Sequence, residues 1–84
     1  MSAREPLEQL QAELDAAEAA ERSGGGDPAQ IAALKAEIGR RLEEDDHEGV
    51  VDELRDQVRG FEATHPRLAA AIGQAADSLS ALGL

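Results

Sequence analysis

Apolar residues recur every three or four positions through the second half of the chain. Ten positions from Val51 to Leu82 keep this spacing without a slip, and nine of the ten are apolar. They are Val51, Leu54, Val58, Phe61, His65, Leu68, Ile72, Ala75, Leu79 and Leu82. We call these ten positions the carboxyl-terminal seam. Such spacing is typical of helices that bury one stripe against other helices, so it predicts helix packing before any chemistry.

Two further helical segments precede this seam. Leu7, Leu10 and Leu14 share a spacing of three and four in a predicted helix over about residues 3–22, with Ser2 and Glu5 placed as a capping box. The second predicted helix covers about residues 28–44 and carries apolar positions that repeat at the same spacing: Ile31, Leu34, Ile38 and Leu42. The glycine-rich stretch 23–27 separates the two, because three consecutive glycines disfavour helix.

Pro66 divides the carboxyl-terminal seam. Proline lacks an amide donor and disfavours helical geometry in the residue before it, so we predict a break near residues 63–65. The resulting helices cover about residues 48–62 and 66–82. Because the seam keeps its phase across Pro66, both a tight antiparallel turn and one kinked helix are compatible with it. A buried proline kink costs about 3 kcal/mol, which favours the turn.

These segments predict one all-α domain, a small bundle of about four helices arranged as two hairpins. The chain has 84 residues, no cysteine and a single aromatic residue, so one copy has a small core and no disulfide to support it. We therefore expect a homo-oligomer, a dimer or tetramer, that completes the core. The predicted interface consists of the large apolar seam positions: Leu7, Leu10, Leu14, Ile31, Leu34, Ile38, Leu42, Val51, Leu54, Val58, Phe61, Leu68, Ile72, Leu79 and Leu82.

The net charge of −10 narrows the classes of partner. Nucleic acids and anionic membrane surfaces are repelled by such a chain, so neither is an expected partner. The sequence has neither an apolar run of membrane-spanning length nor the apolar stretch of a secretory signal. We expect a cytoplasmic protein whose charge would also suit a basic protein partner.

Two Glu-x-x-His motifs are the clearest chemical candidates: Glu44 with His47, and Glu62 with His65. Residues three apart share a helix face, and paired motifs of this kind hold two metal ions in some four-helix bundles. However, the two motifs lie eighteen residues apart, about 27 Å along a helix, so they would meet only across an antiparallel dimer. We therefore predict no resident metal or cofactor and keep these four residues as weak metal candidates.

Catalytic residues are not predicted anywhere in the chain. The sequence has no cysteine nucleophile, and Ser2, Ser23, Ser78 and Ser80 lie outside any nucleophile-elbow pattern. A general base also needs a defined pocket and an orienting partner, which His65 beside a helix break does not offer. The prediction is that the protein is not an enzyme.

Three stretches carry a family resemblance. Two of them, Leu7–Leu14 and Ala76–Leu84, agree with the family in their general pattern of residues. The third stretch, residues 61–72, is the most specific, because it contains Phe61-Glu62-x-x-His65-Pro66-x-Leu68. With these stretches the chain resembles the small bacterial proteins grouped as domain of unknown function (DUF) 4404. The resemblance implies a small, helical, cytoplasmic bacterial protein, and it brings no activity, ligand or catalytic residue.

Taken together, the sequence favours a non-enzymatic protein–protein interaction or regulatory module that self-associates through the regularly spaced apolar positions of its helices. Two alternatives stay open. One is a metal-binding helical dimer that uses the Glu-x-x-His pairs, and the other is an acidic decoy for a basic protein. The sequence leaves the identity of any further protein partner undetermined.

Overall fold

The computed structural model describes residues 2–84, which form four helices and no strand. The helices are α1 (Arg4–Ser23), α2 (Ala29–Glu44), α3 (Val50–Phe61) and α4 (Pro66–Ala81). The predicted all-α class is confirmed, and every helix end lies within two residues of its predicted position. Among these helices none combines the length and the apolar character needed to cross a membrane.

The four helices run alternately up and down around one core. Helix α1 packs against α2 and α4, and α3 packs against α4. Helix α2 reaches α3 through long side chains, for example where Gln30 Nε2 donates to the Gly60 carbonyl oxygen at 2.8 Å. Pro66 begins α4, which folds back along α3, so the predicted turn at this proline is confirmed and the kinked helix is excluded.

The core is built from all four helices of the single chain. Thirteen of the fifteen predicted interface residues are buried in it, while Val58 is half-buried and Leu82 is 38% exposed. Their burial is accounted for within one chain, and the homo-oligomer expected from them stays a prediction. Each hairpin closes on the other within one chain, so the same apolar stripes face helices of their own chain. The thirteen buried residues are Leu7, Leu10, Leu14, Ile31, Leu34, Ile38, Leu42, Val51, Leu54, Phe61, Leu68, Ile72 and Leu79.

The start of α1 and the end of α4 are closed by backbone hydrogen bonds. Ser2 uses its carbonyl oxygen, which accepts from the Glu5 amide at 3.3 Å, and its hydroxyl forms no cap. At the other end of the chain Gly83 has φ 92°, and the Leu84 amide donates to the Leu79 carbonyl at 3.2 Å. This pattern satisfies the last carbonyls of α4.

Candidate functional site

The structure separates the two Glu-x-x-His motifs. Glu44 ends α2 and His47 follows in the α2–α3 loop, whereas Glu62 and His65 lie in the α3–α4 turn. The twelve residues of α3 lie between the two motifs and span about 18 Å. Within residues 2–84 no three side chains of the metal-ligating types gather at one place.

Each histidine instead contacts an acid other than the glutamate of its motif. His47 Nε2 lies 3.0 Å from Asp45 Oδ1, and His65 Nε2 lies 3.4 Å from Glu21 Oε2 on α1. The His65 ring also packs against the Phe61 ring, with 5.9 Å between the ring centroids. His65 therefore belongs to the α3–α4 turn and links it to the end of α1.

A buried arginine joins the end of α2 to the start of α3. Arg41 is 5% exposed, and its Nη1 donates to the carbonyl oxygens of Asp46 at 3.1 Å and Glu48 at 2.9 Å. Its Nη2 donates to Glu53 Oε2 at 3.2 Å. Since these contacts fix the α2–α3 loop, we assign Arg41 a structural role.

Surface ion pairs engage most of the other cations. Lys35 Nζ donates to Asp15 at 2.7 Å and to Glu18 at 2.9 Å, so α2 is tied to α1. Hydrogen bonds from Lys35 and then Arg22 hold the pKa of Glu18 below its ordinary value. Arg40 lowers the pKa of Glu37 in the same way. On this side of the bundle Glu8, Asp15, Glu18 and Glu37 are thus paired with cations of the same chain.

An open groove also runs between α1 and α4, and it differs from the larger depression between α1 and α2 in having rim acids on α1 without ion-pair partners among the described residues. Two clefts of about 370 and 170 Å³ share Glu13 and Ala71, so they form one depression along the helix pair. We call it the α1–α4 groove. The floor of the wider cleft is apolar, formed by Ala17, Ala20, Leu68 and Ala71. The narrower cleft has a mixed lining in which Pro6, Leu10 and Ala75 lie beside Gln9, Gln74 and Ser78. Such a depression has the shape that a partner helix occupies in helix-in-groove recognition.

The rim of the α1–α4 groove is acidic along α1. Glu5, Glu13 and Glu21 follow one another at steps of eight residues, about 12 Å each. Within the described residues neither Glu5 nor Glu13 takes part in an ion pair, and Glu21 is matched by His65 alone. Arg67 lines the same end as His65 and also has no acid partner there. The groove thus combines an apolar floor with uncompensated negative charge.

Sequence reasoning did not identify this groove. Its sequence signal is present but weak: three glutamates at eight-residue steps on α1, and small residues beside the carboxyl-terminal seam, such as Ala71 next to Ile72. The spacing alone does not reveal that α4 lies beside α1, because the two segments are more than forty residues apart. The juxtaposition follows only from the closed bundle.

Comparison with family models matches residues 4–84, nearly the whole chain, to a domain of unknown function (DUF4404). No curated protein and no solved structure matches the chain.

Proposed function

The chain belongs to the DUF4404 family, described as a domain of unknown function, and we propose that it is a non-enzymatic module that binds another protein. The observation that carries the proposal is the α1–α4 groove, whose apolar floor lies at the surface beside unpaired acids. Apolar depressions rimmed by charge are a common form of helix-binding surface.

A different protein suits this groove better than a second copy does. Each copy carries a net charge of −10, and the same acidic rim would face itself across a symmetric dimer. The dimer or tetramer expected from the seams is not part of the proposal, because the residues meant to hold it together are buried within one chain. The proposal assigns the protein to the cytoplasm, on the strength of its acidic, cysteine-free composition.

Site-specific photo-crosslinking in the native host tests the proposal. A photoreactive amino acid replaces Ala20, an exposed residue lining the groove, or Ala33, an exposed residue of α2 outside the groove. We expect one discrete protein adduct from position 20 and none from position 33. Equal labelling from both positions, or adducts only with further copies of this chain, would overturn the proposal.

A further inference from the structure

We propose that the occupant of the α1–α4 groove is a basic amphipathic helix of a partner protein. This inference rests on the proposed function and adds the chemistry of the ligand. The rim acids Glu5 and Glu21 are separated by sixteen residues of α1, about 24 Å. A ligand helix of about four to five turns matches that length.

The floor of the groove defines the apolar face of the ligand. Alanines form its wider part, with Ala17 and Ala20 on α1 and Ala71 on α4. Because these alanine side chains are small, they leave space above the floor of the groove. We therefore expect large apolar side chains on the ligand to fill it. Leucine, isoleucine or methionine at steps of three and four residues would place such side chains along one ligand face.

The rim of the groove defines the charge of the ligand. Glu5 and Glu13 are exposed and free of ion pairs within residues 2–84, so they offer two carboxylates to a cationic partner. Lysine or arginine at steps of seven or eight residues would meet successive rim acids. Acidic helices, nucleic acids and this chain itself all bring negative charge to the same rim and are disfavoured.

Arg67 gives the ligand a direction. It lies at the end of the groove formed by the end of α1 and the start of α4, opposite the end that Glu5 lines. A helix carries partial negative charge at its carboxyl end and partial positive charge at its amino end. The ligand therefore runs parallel to α1, with its carboxyl end at Arg67 and its amino end at Glu5.

Fluorescence anisotropy with a designed probe tests the ligand chemistry. The probe is a labelled, end-capped helical peptide with leucines at steps of three and four residues and lysines at steps of seven. It is titrated with the whole protein and with two double variants of equal net charge. The groove variant is Glu5→Gln with Glu13→Gln, and the control is Glu43→Gln with Asp56→Asn, two exposed acids outside the groove and outside any ion pair of residues 2–84. Thermal melting verifies that both variants are folded.

The groove variant should bind the probe about five- to tenfold more weakly than the unsubstituted protein, and the control should differ by less than about twofold. A matched peptide with glutamate in place of lysine should not bind. Equal weakening in both variants would mean general attraction to a negative protein and would overturn the inference. If the basic probe fails to bind while position 20 still forms its adduct, the ligand chemistry is wrong and the proposed function stands. If both experiments fail, both proposals fail.

A spin label at either end of the same probe tests the direction. Parallel binding should broaden the amide resonances near Glu5 from the amino-terminal label and those near Arg67 from the carboxyl-terminal label. The reverse pattern would overturn the assigned direction.

Discussion

The side chain of Arg41 donates hydrogen bonds to two backbone carbonyls of the α2–α3 loop. It is almost completely buried, yet its donors reach two loop carbonyls and one carboxylate. Its Nε has no hydrogen-bond partner, and the second oxygen of Glu53 is buried without one, so the network is incompletely satisfied. A buried charge in such a network contributes less than its contacts suggest, but removing it leaves the remaining partners unpaired.

Replacing this arginine should therefore destabilise the protein substantially. For Arg41→Met we expect a loss of about 2–3 kcal/mol in the free energy of unfolding, measured by urea denaturation followed by circular dichroism. The adjacent Arg40→Met is the control, because Arg40 is 42% exposed at its side chain and its ion pairs lie at the surface. Equal losses in the two variants would show that Arg41 acts through charge alone and that its loop contacts are unimportant.

At the scale of the helices, local signals account for most of what the sequence predicts. Pro66 and the glycine-rich stretch limit where helices can run, and the apolar spacing tells which face each helix buries. Local sequence does not determine which helix packs against each apolar face. The spacing of Leu54 and Ile72 is the same whether the facing helix belongs to this chain or to another, so the sequence could not predict that both residues are buried within one chain. The predicted capping role of Ser2 failed, since an exposed hydroxyl at a chain end bonds to water as readily as to an amide.

Glycine inside α4 offers a test of helix packing. An added Cβ at Gly73 would meet Val58 Cγ2 at 3.8 Å, which is ordinary van der Waals contact. Alanine is the better helix former, so Gly73→Ala should stabilise the protein by about 0.5–1 kcal/mol. Gly39 in α2 is the control, because its added Cβ would lie closer to a neighbour, 3.0 Å from Gln11 Nε2. Gly39→Ala should gain less in the same urea titration, and a larger gain there would contradict the packing described for α1 and α2.

The contact between α1 and α2 should be sensitive to pH. Because Lys35 and Arg22 lower the pKa of Glu18 in the folded state, folded Glu18 binds a proton less readily than unfolded Glu18 does. Its stabilising effect is complete above its ordinary value of 4.5 and is lost as the pH falls through the lower folded-state pKa. Glu18→Gln should therefore melt at a lower temperature than the unsubstituted protein at pH 7, and the gap should close in acid.

The control for this titration is Glu62→Gln, an exposed residue outside any ion pair of the described chain. It should cost less thermal stability at pH 7 than Glu18→Gln does. A gap for Glu18→Gln that stays constant from pH 7 into acid would mean that the glutamate stabilises the helix pair by packing, with no contribution from its charge.

The whole molecule combines a core closed within one chain with a large surplus of negative charge. The apolar positions that would otherwise attract a second copy are buried within one chain, and the charge of −10 opposes the approach of two copies.

Light scattering after size exclusion at low salt should therefore give 8.8 kDa, the mass of one chain, at every concentration tested. Added salt should not change that mass, because screening removes repulsion without exposing the buried core residues. A mass of two or four chains that persists on dilution would contradict this account. It would require an interface outside the core, and the α1–α4 groove would then be its first candidate, with Ala20→Arg expected to restore the single chain.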